Sequence, residues 1–431
     1  MTTLHARCLC RAHTFSTPPL PSSSLPLPAS SCHCHSCRHM TGALRSSDAS
    51  WPGPASAIAL AASSAAANLA AALKRYHFSP RANILFCGTC GAPMFWEQFP
   101  APQGDKEKEV LGKGEVPEGV YYLVMTGALA VEGGGEPGNP VVRWEDHIFV
   151  GDTKDGGAVC WLRRMNGEGG EPVKVWLGAR GESEEVPVGV RWPKIEELQA
   201  YGVDVKGKQG AEGDVPIRCR CGGIDLVFRA GEAQREFEAR QKKGEELPFY
   251  IDPVTHKLLA SLDACDSCRI SGGSEVYNWT FAALKHLSFA GAECDSLPEN
   301  TTKLRAAVEA KDGTPRDPRF GKIQMFASSP DVQRYFCGGC SANLFFAVDS
   351  RPDIVDIGVG LFDSPDGARA EGVLSWSFGG DMSWMQDMRG TWREGLLDSA
   401  LNEAEAFRIE RGYPKMWLRV AREAAAAAEA K

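Results

Sequence analysis

No stretch of the chain is both long and strongly apolar. The nearest approach, ASAIALAASSAAANLAAAL at 55–73, is uncharged but mostly alanine, with Ser56, Ser63, Ser64 and Asn68 inside it. Alanine drives insertion weakly, so the segment reads as a helix or low-complexity insert and no membrane partner is expected. A basic excess is lacking too. Lys and Arg total 47 against 55 Asp and Glu, for a net charge of -8 and a pI near 5.7. That balance is a poor fit to duplex nucleic acid. The N-terminus has no basic start followed by an apolar run, so no secretory signal is expected and a disulfide framework is not either. The first 47 residues contain no acid, several serines, and Arg7, Arg11, Arg38 and Arg45. This is the composition of a mitochondrial transit peptide, but cleavage there would remove clustered cysteines. A cytoplasmic location is the expectation, with nucleus and mitochondrion as alternatives.

What is present in quantity is cysteine. The 431 residues hold 15, an odd number, and most are clustered. In a reducing compartment clustered thiols point to metal. The densest cluster is CHCHSCRHMTG at 32–42, three cysteines interleaved with three histidines. The length predicts two or three domains. The 46 glycines and 27 prolines favour short strands and many turns.

The cysteines lie in a repeat. RCLC (7–10), CHSCRHMTG (34–42) and SPRANILFCGTCGAPMFW (79–96) recur in order as RCRC (218–221), CDSCRISGG (265–273) and SPDVQRYFCGGCSANLFF (329–346). The offset grows from 211 (Cys8 to Cys219) to 231 (Cys37 to Cys268) to 250 (Cys90 to Cys340), so the second copy carries two insertions of about 20 residues. The predicted organisation is a first domain at 1–178, a polar linker at 179–215, a second domain at 216–390, and a C-terminal helix and tail at 391–431. The linker should hold one short helix near 194–201. Leu396, Leu397, Ala400, Leu401, Ala404 and Phe407 recur at helical spacing, which predicts a helix packed on the second domain. Within each copy, segments such as VYYLVMTGALAV (120–131) and VVRWEDHIFVGD (141–152) read as strands of small antiparallel sheets.

The two outer pairs of each copy supply four thiolates. Residues i and i+2 of a strand face the same side, as Cys8 and Cys10 do, and Cys87-Gly-Thr-Cys90 is a tight knuckle. Four sulfurs close a tetrahedral zinc site, which is a structural site. Cys219, Cys221, Cys337 and Cys340 repeat the set. Cys32, Cys34 and Cys37 form a separate triad, and three ligands on a tetrahedral ion leave one position open. Such a zinc is suited to holding an incoming thiol as thiolate. The alternatives are a closed structural site completed by His33, His35 or His39, and three unmetallated thiols. In the second copy Asp263 replaces the first cysteine beside Cys265 and Cys268, which predicts a degenerate set kept for packing, with metal binding as the alternative. Cys160 and Cys294 stand outside the repeat as ordinary thiols, and His147 reads as a satisfied structural histidine.

The order CxC, CxCxxC, FCxxCG, with R-x-x-T-G closing the middle motif, resembles the glutathione-dependent formaldehyde-activating enzyme family, to which centromere protein V belongs. The first copy matches at all seven cysteines and the second at six. The resemblance implies an all-β fold of two tandem Mss4-like (β-tent) zinc domains. It implies a structural zinc on Cys8, Cys10, Cys87 and Cys90 and a catalytic zinc on Cys32, Cys34 and Cys37. The implied activity is carbon–sulfur lyase chemistry, adding glutathione to formaldehyde; the alternative is a non-catalytic zinc scaffold or interaction protein. Arg11 and Ser341 stand where the family carries glycine. Arg38, directly after the ligands, would receive a glutathione carboxylate or lie solvated on the surface.

Overall fold

The structure is a computed structural model that describes residues 1–63, 72–167, 169–190, 192–201, 213–291, 295–310 and 315–429. Cys294, residues 64–71 of the alanine-rich stretch, and 191 and 202–212 of the expected linker lie outside them.

The first half is built on a sheet whose strands run Leu73–Ser79, Ala82–Cys87, Pro93–Gln98, Tyr121–Met125, Ser46–Ser50, Leu27–Cys32 and Val142–Ile148 in spatial order. Every neighbour pair is antiparallel except the last, where Leu27–Cys32 and Val142–Ile148 run parallel. The second half repeats this order: Ile323–Ser329, Val332–Cys337, Asn343–Val348, Ile354–Gly358, Tyr277–Ala283, Leu258–Asp263 and Leu374–Trp376. Its last pair is again the parallel one. The central strands are almost entirely buried, as in ANILFC (Ala82–Cys87) and LLASLD (Leu258–Asp263), which explains their near-continuous apolar sequence. The CxC strands stand apart from these sheets. Leu4–Arg7 pairs with Leu129–Val131, and the corresponding contact in the second half is a single bridge, Ile217 to Phe362.

The protein is β-rich but not all-β, which corrects the expectation. Apart from two short helices in the repeated cysteine motifs, His35–Thr41 and Asp266–Gly272, the helices sit in segments outside the repeat and at the C-terminus, where Ala, Glu, Gln and Arg are frequent and helix propensity is high. Ala230–Lys242 buries Phe237. Thr301–Glu309 buries Leu304 and Val308, and its Asn300 cap accepts the Lys303 N–H. Ala55–Ala61 and Ile195–Ala200 fall where helices were expected. Residues assigned to the linker take part in the first sheet: Glu185–Val186 pairs with Lys174–Trp176 and extends it to nine strands.

The C-terminal helix Glu394–Arg411 forms as its periodicity predicts, burying Leu396, Leu397, Ala400, Ala404 and Phe407. Its packing differs from the expectation. It lies against both halves: Phe407 meets Phe378 of the second half edge-on at 5.4 Å between ring centroids, and Trp161 of the first half meets Phe378 at 5.3 Å. Glu403 accepts the Arg164 N–H across the same boundary at 3.0 Å. A second helix, Trp417–Glu429, follows in the segment expected as the tail.

The halves meet along a polar, pseudo-symmetric seam. The helices His35–Thr41 and Asp266–Gly272 both end at a left-handed glycine, Gly42 (φ 77°) and Gly273 (φ 75°). Gly360 N–H donates to Gly42 O at 3.0 Å, and Gly127 N–H donates to Gly273 O at 3.1 Å. Backbones approach so closely here that a Cβ on Gly360 would lie 2.1 Å from Ala43 O, and one on Gly127 2.3 Å from Arg269 O. Glycine is required at both places. Among the described residues no helix is long and apolar enough to cross a membrane.

Candidate metal centres

Each CxC pair follows a short strand and each CxxC pair closes a buried one, so the fold brings strand end and knuckle together. Cys8, Cys10, Cys87 and Cys90 converge with all four sulfurs within 4.8 Å of one another, as do Cys219, Cys221, Cys337 and Cys340. Sulfur separations are 3.5 Å for Cys8–Cys10 and Cys10–Cys87, and 3.4–3.7 Å within Cys219, Cys221 and Cys337. A tetrahedron with zinc–sulfur bonds of about 2.3 Å has edges of about 3.8 Å, so the residues present fit that ion. Cys10 is pulled down to about 7 by its hydrogen bond with Cys8, while Cys90 is driven far up by Cys10 and Cys8. Thiols packed this way cannot all ionise unless a cation joins them. The departures at the knuckles preserve the backbone: Arg11 (φ 60°) matches Gly222 (φ 69°), and Ser341 (φ 73°) matches Gly91 (φ 74°). Ser341 also donates its hydroxyl to Met40 O at 3.4 Å, so the substitution adds a contact across the seam.

The third set sits where Leu27–Cys32 ends and the helix His35–Thr41 begins. Cys34 caps that helix, its sulfur accepting the Cys37 N–H at 3.2 Å. The three sulfurs of Cys32, Cys34 and Cys37 lie within 4.8 Å of one another, in an apolar shell that includes Ile84, Phe86, Trp96 and Met125. Cys34 is drawn down to about 3, first by its hydrogen bonds with Cys32 and Cys37, and the other two thiols are pushed up by theirs.

None of the interleaved histidines joins this set. His33 is fully buried and donates Nε2–H to His147 Nδ1 at 2.9 Å, while His147 Nε2–H donates to Leu162 O at 2.8 Å. His147 is thus the satisfied structural histidine expected, and burial holds it down to about 3. His39 donates Nδ1–H to Arg218 O at 2.7 Å, and His35 and His39 gather instead with Asp363 of the second half. That grouping was missed in the sequence, where only the i, i+4 spacing of the two histidines hinted at it. Arg38 is not a solvated surface residue: it is 4% exposed, with Nε and Nη1 lacking any partner.

The second-half counterpart is assembled as well. Asp263 takes the place of Cys32 at its strand end, and its carboxylate and the sulfurs of Cys265 and Cys268 lie within 4.8 Å of one another. Asp263 accepts the Cys265 N–H at 2.8 Å, and burial lifts its carboxyl to about 7. Arg334, which sequence reasoning missed, directs Nη1 at Cys268 Sγ from 3.7 Å. This set borders a cavity of about 760 Å³ lined by Trp279, Phe281, Phe346 and Trp384 among others. Cys160 is partly buried beside Arg369, apart from every set.

Among the described residues the fold gathers two four-sulfur sets, two three-ligand sets built on cysteine and one of two histidines and an aspartate, each compact enough to hold a metal ion. Residues 3–116, which contain the first half's seven clustered cysteines, match the family model described as glutathione-dependent formaldehyde-activating enzyme, so this part of the chain carries a domain of that family. No curated protein and no solved structure matches the chain.

Proposed function

We propose that the protein is a zinc-dependent carbon–sulfur lyase that adds a small thiol, glutathione, to formaldehyde or a similar aldehyde. In this reading 216–390 is a second copy of the domain. The observation that carries the reading is the convergence of Cys32, Cys34 and Cys37 without a fourth ligand from His33, His35 or His39. The four-cysteine sets are the structural sites, since four ligands leave no position for substrate. Zinc held by the triad would supply an open position at which a thiol loses its proton.

The residues of the chain do the rest. Trp96, Phe86 and Ile84 keep water from the thiol, which preserves its nucleophilicity. Arg38, with two unpartnered guanidinium nitrogens beside the triad, receives a carboxylate of the incoming thiol peptide. In the addition, one bond forms between sulfur and the aldehyde carbon. The carbonyl π bond opens onto its oxygen, which takes up the proton that the thiol released, so no group leaves.

A second reading rests on the cavity over Asp263, Cys265 and Cys268. Here the second-half set takes the ligand, in a space of the size small-molecule sites occupy. The test is the exchange rate between ¹³C-formaldehyde and its glutathione adduct, measured by NMR above the uncatalysed rate. Acceleration lost in Cys34→Ser and kept in Cys268→Ser supports the first reading, and the reverse supports the second. No acceleration by the unaltered protein leaves a zinc scaffold.

A further inference from the structure

The helix that carries Cys34 and Cys37 also carries His35 and His39, one turn apart on one face. Asp363 approaches that face from the second half, just after the turn Val359–Leu361 that touches Gly42. One ring nitrogen of each histidine and a carboxylate oxygen of Asp363 lie within 4.8 Å of one another. His39 is 97% buried, being 3% exposed, and its Nδ1–H is used by Arg218 O. That bond fixes the tautomer, so Nε2 carries a lone pair, and this atom is buried without any partner. A buried acceptor with nothing to accept from is unfavourable, and a bound cation removes that cost.

The charges facing the cluster come from several elements. Arg38 lies on the same helix, and Arg218 belongs to the CxC strand of the second half. Arg218 is held by Asp225 at 2.9 Å and pairs with one oxygen of Asp363 at 3.7 Å, the looser of its two ion pairs. Asp152 accepts the His35 backbone N–H at 3.3 Å and adds a second carboxylate nearby.

We infer that His35, His39 and Asp363 form a binding site for a divalent transition-metal cation that bridges the two halves. Two imidazole nitrogens and one carboxylate oxygen suit borderline first-row ions such as zinc, cobalt or nickel, and not calcium or magnesium, which take oxygen ligands. The site has no mirror image across the seam. The equivalent positions are Asp266 and Ile270 by the offset of 231, and Ala130 by the correspondence of Gly127 with Gly360. The bound ion would pin the triad helix to the second half, adding to the hydrogen bonds that already join them.

The test uses the full-length, zinc-loaded protein titrated with Co²⁺, alongside Asp363→Asn and His35→Asn. Both residues are exposed, and unchanged thermal unfolding without added metal establishes that the variants fold. The inference predicts one extra cobalt per chain with weak d–d bands and no thiolate charge transfer, and a metal-dependent rise in melting temperature. Both variants should weaken uptake by more than about tenfold, the low end of the loss caused by removing even an outer partner of a metal. No extra uptake, uptake undiminished in both variants, or thiolate charge transfer accompanying it would overturn the inference.

Discussion

A sulfur in a four-thiolate set and one in a three-thiolate set differ in what their loss removes. Cys90 and Cys340 tie a knuckle to a strand more than a hundred residues away in the second half and about eighty in the first. Structural zinc contributes on the order of 10 kcal/mol, comparable to a domain's whole margin of about 5–15 kcal/mol. Cys90→Ser should therefore unfold the protein at ambient temperature, whereas Cys34→Ser should lose one zinc and melt within a few degrees of the unaltered protein. Paired calorimetry and metal analysis check this; equal destabilisation would mean that the triad also holds the fold. His147 gives a pH prediction. Its folded pKa, about 3, is below the ordinary 6.5, so the folded state binds fewer protons and stability is lost as pH falls through 6.5. Between pH 6.5 and 5 this amounts to about 2 kcal/mol. His147→Gln, which cannot titrate, should show a deficit relative to the parent that shrinks by that amount in urea melts at pH 5 compared with pH 7.

At the scale of elements, the seam turns are the sensitive points. Gly360→Ala pushes a methyl into the Ala43 carbonyl, and because both sides are backbone the strain cannot relax into a rotamer. A loss of about 1–3 kcal/mol is expected, against no loss for Gly169→Ala, where nothing lies within 4 Å. Chemical denaturation of the two variants makes the comparison. The elements themselves were largely legible in the sequence. The helix 394–411 follows from its apolar period and the ligand sets from their spacing, because both signals are local. What packs on what was not legible. Nothing near Phe378 announces Trp161, and nothing near His39 announces Asp363, since these contacts join residues more than two hundred positions apart. The all-β expectation failed for a related reason: apart from the two short helices that follow Cys34 and Cys265, the helices lie in segments that the cysteine repeat does not cover.

The molecule as a whole is two similarly ordered sheets joined by buried polar contacts. Arg45 of the first half meets Glu275 of the second at 3.5 Å, both nearly inaccessible and neither otherwise satisfied. Burial lowers Arg45 to about 10. Removing one partner of such a pair costs about 3–5 kcal/mol, while replacing both by apolar residues is often neutral or better. Glu275→Leu alone should therefore be strongly destabilising and Arg45→Met/Glu275→Leu should recover most of the loss in a thermal-melt double-mutant cycle. Failure of the double variant to recover would show that the pair itself stabilises the seam.

In the proposed function Cys32, Cys34 and Cys37 leave a ligand position for a thiol while the four-cysteine sets do not. Cobalt-substituted protein titrated with glutathione tests it most directly, through the thiolate-to-metal charge-transfer band. The account predicts an increase equivalent to one added thiolate per chain, abolished by Cys34→Ser and kept in Cys268→Ser. No change in the band at saturating glutathione would contradict it.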